Sequence, residues 1–187
     1  MFIRSERLFL RPGWPEDWAE LYERIADEGI VRNLAKAPWP YEPGHAREFA
    51  ARPQESRSPH FLVTLPGARG AELVGCVGLA RDEAGEIELG YWIAREHWGR
   101  GYATEAARAV LGLARALGHR RVVAGHFVDN PASGRVLVKC GFRPAGSLRQ
   151  RFSVARGGAV PTLAYAVELT GPNGCDTEDA LGAMRAA

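Results

Sequence analysis

The sequence predicts an α/β fold built on a mixed, mostly antiparallel central sheet of about seven strands with helices on its flanks. Three observations carry this. The hydrophobic period switches between two and about 3.6 along the chain. Three strand-like runs follow one another in the middle, with only turn-forming residues between them. After them the pattern reads helix, strand, helix and two last strands. At roughly 100 to 200 residues per domain, the 187 residues supply one domain, assigned to residues 1–170. The Gly, Asp and Ala rich stretch 171–187 predicts a frayed tail.

The elements follow in order. Residues 7–11, RLFLR, alternate up to Pro12 and suit a strand meeting a breaker. From Pro15 the period becomes helical: Trp18, Leu21, Tyr22 and Ile25 share one face, while Glu16, Asp17, Glu20 and Glu23 fill the other. Residues 33–45 carry Pro38, Pro40, Pro43 and Gly44 with Trp39 and Tyr41, a loop able to cover a site, and a short helix over about 45–52 follows. Strands are predicted at 61–65, 73–80 and 86–94, separated by PGARGAE and RDEAG. A helix over 101–117 places Ala103, Ala106, Ala107, Val110, Ala114 and Leu117 on one face and stops at Gly118. Residues 121–128 read as a strand. Asn130 and Pro131 open a helix that ends at Gly141, and strands near 147–154 and 161–169 close the order.

Composition excludes several classes. With 46% apolar and 25% charged residues the chain is an ordinary globular one. Its net charge of +2 provides no field for nucleic acid or an anionic membrane. Cys76, Cys140 and Cys175 are odd in number and lack metal-ligand spacing, so neither a disulfide framework nor a metal site is expected. The apolar run Leu73–Ala80 is far short of the ~20 residues of a membrane helix. No apolar stretch near the start suits a signal peptide. A soluble, cytoplasmic setting is expected.

The segment WGRGYATEA, 98–106, joins a strand to the long helix. Such a junction offers unpaired backbone N–H groups and the positive end of a helix dipole to an anion, and Gly99 and Gly101 let a phosphate approach them. Turn geometry alone also accounts for the two glycines. Neither GxxxxGK[ST] nor GxGxxG is present.

The run E-x-G-Y-W-I-(x4)-W-G-x-G-Y-A-T-E-A at Glu88–Ala106, followed by N-P-A-S-x-R-V-x-x-K-x-G-F at Asn130–Phe142, resembles the GNAT superfamily of N-acetyltransferases, in particular its ribosomal-protein N-terminal acetyltransferase branch. The resemblance covers about residues 3–169 and is strongest between Glu88 and Phe142. It implies a sheet splayed between the fourth and fifth strands, with acetyl-coenzyme A as cosubstrate. The family pattern [QR]-x-x-G-x-[GA], whose backbone amides hold the pyrophosphate, falls on Trp98, Gly99, Arg100, Gly101, Tyr102 and Ala103, and Trp98 stands where the general pattern has Gln or Arg. Arg100 would add positive charge, and Thr104 and Arg135 join the expected cofactor contacts. The pantetheine arm would bond to backbone near Trp92 and Ile93, with Asn130 reaching it and Ser133 near the sulfur. Asn130 is equally a good helix cap, and Ser133 an ordinary first-turn residue.

Acyl transfer to an amine needs a neutral nucleophile. At pH 7 deprotonation costs about 1 kcal/mol for an α-amine and about 4.6 for a lysine. Glu88, inside a strand at the expected cleft, is the candidate base, directly or through water; alternation with Glu86 also allows a solvated strand face. Ser133 is the candidate donor to the departing thiolate, and no metal is called for. His97, His119 and His126 read as loop or surface residues. Trp39 and Tyr41 are expected to line the acceptor groove, whereas Trp18 reads as core. The leading expectation is an N-acetyltransferase acting by direct attack of a peptide or protein α-amine, as a monomer or homodimer. The alternatives are acetylation of an aminoglycoside or polyamine, which an acidic groove at Glu16, Asp17, Glu20 and Glu23 would favour, or a non-catalytic coenzyme A binding module.

Overall fold

Runs of alternating Val, Leu, Ile and Phe form one sheet, and the computed structural model describes residues 1–169 apart from Arg69 and Glu83. The strands are β1 (Ile3–Arg4), β2 (Phe9–Arg11), β3 (His60–Gly67), β4 (Gly70–Arg81), β5 (Ile87–Ile93), β6 (Arg121–Phe127), β7 (Arg143–Pro144), β8 (Arg149–Ser153) and β9 (Gly158–Glu168). Their order is β1-β2-β3-β4-β5-β6-β9-β7, with β8 paired to β9. Among the described residues the sheet thus has nine strands, close to the seven expected. The two additional ones, β1 and β7, have two residues each, too short for alternation to register. The stretch 171–187 predicted to fray lies outside the described residues.

All pairings are antiparallel except that of β5 and β6, which run parallel and pair at one position, Glu88 with Val123. β5 stays paired to β4 as far as Ile93, and β6 stays paired to β9 as far as Phe127. Beyond Glu88 the two strands therefore part, which is the splay expected between the fourth and fifth strands; β1 moves the count by one.

The helices are α1 (Trp18–Ile25), α2 (Glu28–Val31), α3 (Pro43–Ala50), α4 (Tyr102–Ala116) and α5 (Pro131–Lys139). A 3-10 turn, Pro15–Asp17, precedes α1, so the helix starts later than the pattern suggests. α3 starts earlier than expected, at Pro43, because proline suits a first helical turn. α2 was not foreseen. Its four residues are fewer than two turns, yet Ile30 and Val31 are buried.

Two cores lie on opposite faces of the sheet. Ala106, Ala107, Val110 and Leu111 of α4 and Leu137 of α5 pack with Ile87, Leu89 and Ile93 of β5. Leu21, Ile25, Ile30, Val31, Ala46 and Ala50 of α1 to α3 pack with Leu62, Leu73 and Trp92. Each fully buried Leu, Ile or Val stabilises the fold by about 1.5–3 kcal/mol. The alanines keep α4 close to the sheet. A bulge at Val63 and Thr64 shifts the alternation of β4, sending Val74 to the α4 side and Cys76 to the α1 side. Between them Gly75 is obligatory, since a Cβ there would lie 2.2 Å from the Trp92 carbonyl oxygen.

Candidate active site

β5 ends at Ile93, and the chain passes through a 3-10 turn, Arg95–His97, towards α4. Trp98 folds back so that its indole N–H donates to the Ile93 carbonyl at 2.6 Å, with the Arg95 guanidinium 5.0 Å over its ring. The side chain that replaces Gln or Arg thus fastens the loop to the strand end, and the Ile93 carbonyl already has one donor. Gly99 and Gly101 follow with φ of +76° and +81°, the left-handed region that disfavours side chains. A Cβ at Gly99 would meet nothing within 4 Å, and one at Gly101 only the Arg7 guanidinium at 3.5 Å. α4 begins at Tyr102 without a side-chain cap, so the first-turn N–H groups of Tyr102, Ala103 and Thr104 have no intrahelical acceptor. Open glycines, free N–H groups and the positive end of a 15-residue helix suit a pyrophosphate group. Arg100 is exposed beside them.

Arg7 belongs to this corner, and the sequence reading missed it. Its Nη1 donates to the Arg100 carbonyl at 3.1 Å, its guanidinium lies 4.8 Å over the Tyr102 ring, and its backbone N–H and Nε donate to Glu105 at 2.7 and 2.8 Å. Burial works to raise the Glu105 carboxyl, but hydrogen bonds from Arg7 and Ser5 outweigh it and hold the group below its ordinary range.

Glu88 occupies the last paired position before the splay. Its side chain is 18% exposed, and both carboxylate oxygens accept from Arg151 of β8: Oε1 from Nη1, and Oε2 from Nη2 at 2.8 Å. Glu86, the other alternating acid, sits in a more exposed pair with Arg121 at 3.5 Å. Glu88 is therefore not part of a solvated strand face.

On the far bank of the splay, the Asn130 side-chain oxygen accepts the Ser133 N–H at 3.3 Å, which is the capping geometry at the start of α5. Ser133 Oγ lies 2.7 Å from the Tyr91 hydroxyl, which also approaches the Ser133 carbonyl at 3.1 Å. Burial pushes the Tyr91 hydroxyl up to about 12, so it is protonated at neutral pH. Gly134 has no room for a side chain, because a Cβ would lie 2.6 Å from His126 Nε2. Arg135 is exposed on α5.

A cavity of about 510 Å³ lies between these banks and α2, bordered by Arg32, Arg95, Trp98, Asp129 and Asn130. Carboxylates on and beside it hold arginines. Asp129 accepts from Arg156 at 2.8 and 3.0 Å and from Arg32 at 3.0 Å, and Asp27 accepts from Arg95 twice at 2.6 Å. Hydrogen bonds from those arginines hold both carboxyls below the ordinary range. The turn after β8 is tied to the proline-rich loop by the Val154 N–H, which donates to the Ala35 carbonyl at 2.9 Å.

Two expectations need correction here. Tyr41 does not line a groove: at 7% exposed it packs among α1, α3 and Trp92, with burial pushing its hydroxyl up to about 12. Trp39, two residues earlier, is 39% exposed. Trp92, near which only backbone contact is expected, is a buried member of the α1-side core. The three histidines are buried rather than superficial: His97 Nε2 meets Glu72 at 3.2 Å, His119 Nε2 the Arg57 carbonyl at 2.6 Å and His126 Nδ1 the Phe127 carbonyl at 2.9 Å. Trp18 packs against the α1-side core with the Arg47 guanidinium 3.8 Å over its ring. Among the described residues no group of three His, Cys, Asp or Glu could hold a metal ion, and no helix is long and apolar enough to cross a membrane.

The sheet thus splits at one parallel pair, with open glycines and free first-turn N–H groups on one bank and a carboxylate at the fork. The family described as acetyltransferase (GNAT) domain matches residues 7–143. An uncharacterised N-acetyltransferase of Bacillus subtilis, YoaA, is 35% identical over 157 residues, covering 79% of this chain and 86% of the relative. The ribosomal-protein-serine acetyltransferase of Escherichia coli is 35% identical over 82 residues, 42% of this chain and 46% of that one. A GNAT acetyltransferase structure from Bacillus anthracis superposes with a TM-score of 0.76 at 25% identity, covering 90% of this chain and 98% of that one. The chain belongs to the GNAT acetyltransferase family and is an N-acetyltransferase that uses acetyl-coenzyme A.

Proposed function

We propose that the acceptor is a peptide or protein α-amine, and the observation that carries this reading is the charge balance of the cleft. Around the cleft, Glu88, Asp129 and Asp27 each hold a guanidinium. Of the acids that would have formed a groove for a polycation, Asp17 is gripped by Arg11 at 2.6 and 2.7 Å, and Glu20 accepts the Leu73 N–H at 2.8 Å. Glu16 and Glu23 are exposed, but Glu88, Asp129 and Asp27 are each matched by a guanidinium, so a polyamine or aminoglycoside finds little uncompensated negative charge at the cleft itself, whereas a single amine needs little. The chemistry agrees, since neutralising an α-amine at pH 7 costs about 3.5 kcal/mol less than neutralising lysine. The name of the Escherichia coli relative supports a protein acceptor.

In this reading the backbone N–H groups of Gly99 to Thr104 hold the pyrophosphate, with Arg100 adding charge. The pantetheine arm lies in the splay beside Trp92, Ile93 and Asn130, and Arg135 borders it from α5. The amine nitrogen attacks the thioester carbonyl carbon, the carbon–sulfur bond breaks, and the sulfur leaves as thiolate. Glu88 accepts the amine proton on a lone pair that Arg151 does not occupy, directly or through water. Ser133 donates a hydrogen bond to the departing sulfur. Trp39 borders the acceptor entrance. Thiol release from acetyl-coenzyme A with panels of free N-terminal peptides, N-blocked lysine peptides, polyamines and aminoglycosides tests the reading. The free peptides should turn over fastest; a faster polyamine or aminoglycoside would overturn the acceptor assignment.

A further inference from the structure

We propose that Tyr91 is a positioning residue that aims the Ser133 hydroxyl at the departing sulfur, an inference that rests on the role given to Ser133 above. The two strands part after Glu88, and Tyr91 follows further along β5, packed on the α4 side of the sheet. Its hydroxyl spans the opening to the first turn of α5, meeting Ser133 Oγ at 2.7 Å and the Ser133 carbonyl at 3.1 Å. One side chain thus links the two banks of the splay. The backbone of Ser133 is held separately, its N–H shared between the Asn130 side-chain oxygen at 3.3 Å and the Asn130 carbonyl at 3.2 Å. What remains to be set is the direction of the serine hydrogen.

Counting hydrogens shows how Tyr91 sets it. The Ser133 carbonyl only accepts, and each hydroxyl has one hydrogen to give. In one arrangement Tyr91 donates to the carbonyl and the serine hydrogen is spent on the tyrosine oxygen. In the other Tyr91 donates to Ser133 Oγ, which frees the serine hydrogen for a third atom. Negative charge growing on sulfur favours the second, because a donor chain from Tyr91 through Ser133 to sulfur strengthens each link. The phenol turns between two acceptors of the same residue, so neither arrangement strands a buried polar group. No proton has to leave Tyr91. A thiol with a pKa near 8.5 departs as thiolate and needs only a donor.

Tyr91→Phe keeps the ring and removes the hydroxyl. With a saturating peptide acceptor its kcat should fall about tenfold, the size of one good hydrogen bond, while coenzyme A affinity by calorimetry stays within about twofold of the parent. Ser133→Ala should fall at least as far, and the double variant no further than Ser133→Ala alone. A second readout involves no transfer: the fraction of bound coenzyme A present as thiolate at neutral pH, read from its ultraviolet absorbance, should drop in both single variants. Thermal melting confirms that Tyr91→Phe is folded. Parental kcat and thiolate fraction in Tyr91→Phe, together with a loss in Ser133→Ala, would overturn the role of Tyr91 and leave that of Ser133 standing. Fully additive losses would also overturn it. A Ser133→Ala variant equal to the parent would remove the Ser133 reading and the proposal with it.

Discussion

The proposed pyrophosphate cradle makes two demands of Gly101, one of backbone and one of charge. Its φ of +81° lets the chain turn into α4, whose first N–H groups have no side-chain cap, and its missing side chain leaves space beside them. Gly101→Asp violates both demands, adding left-handed strain and placing a carboxylate where an anion should sit. Its affinity for acetyl-coenzyme A should fall at least about tenfold, equivalent to about 1.4 kcal/mol. Gly101→Ala, which carries only the strain, should lose less. Calorimetry on both folded variants checks this, and unchanged affinity in the aspartate variant would reject the cradle. Such a residue is legible in sequence because its requirement is local. Tyr41 is the opposite case: its neighbours Pro40 and Pro43 mark a loop, but whether a loop side chain turns inward depends on α1 and α3 packing beneath it.

At the scale of elements, legibility follows length and locality. β3, β4, β5, α4 and α5 each carry enough residues to show a period, so their existence and order could be read. α2, with four residues, and β1 and β7, with two each, could not. Pairings across the fold left no local trace: Arg151 and Glu88 are 63 positions apart, and Arg7 and Glu105 are 98 apart. That last contact binds the start of the chain to the first turn of α4 and makes a testable statement about acid stability. The Glu105 carboxyl is held below its ordinary 4.5 in the fold. Its contribution is therefore fully present above about pH 4.5 and lost as pH falls through the lower folded value. Glu105→Gln should lower the thermal midpoint near neutral pH, and the gap from the parent should close as pH falls below the ordinary carboxyl range. Arg7 is 44% exposed, so added salt should shrink the gap as well. A gap that is constant with pH would show that shape rather than charge holds the corner.

For the molecule as a whole, the split sheet brings two halves to one point. α4 and α5 cover one face and α1 to α3 the other, and Glu88 stands at the fork where β5 and β6 last touch. If that carboxylate takes the amine proton, Glu88→Gln should keep the strand and retain one acceptor oxygen for Arg151 in place of two, yet lose most turnover at pH 7. Loss of the charge facing Arg151 also costs some stability, so the comparison is made well below the melting temperature of the variant. Raising the pH should restore part of the rate, because an α-amine with a pKa near 7.8 arrives increasingly neutral and needs no base. A lysine acceptor, with a pKa near 10.4, should recover little over the same range. The measurement is a pH and rate profile of parent and variant with a peptide bearing a free α-amine, and with the same peptide blocked at its N-terminus and carrying lysine. Parallel profiles would remove Glu88 as base and leave its pairing with Arg151 a structural tie between β5 and β8. Faster transfer to the blocked lysine peptide would reverse the acceptor preference without touching the acetyltransferase chemistry.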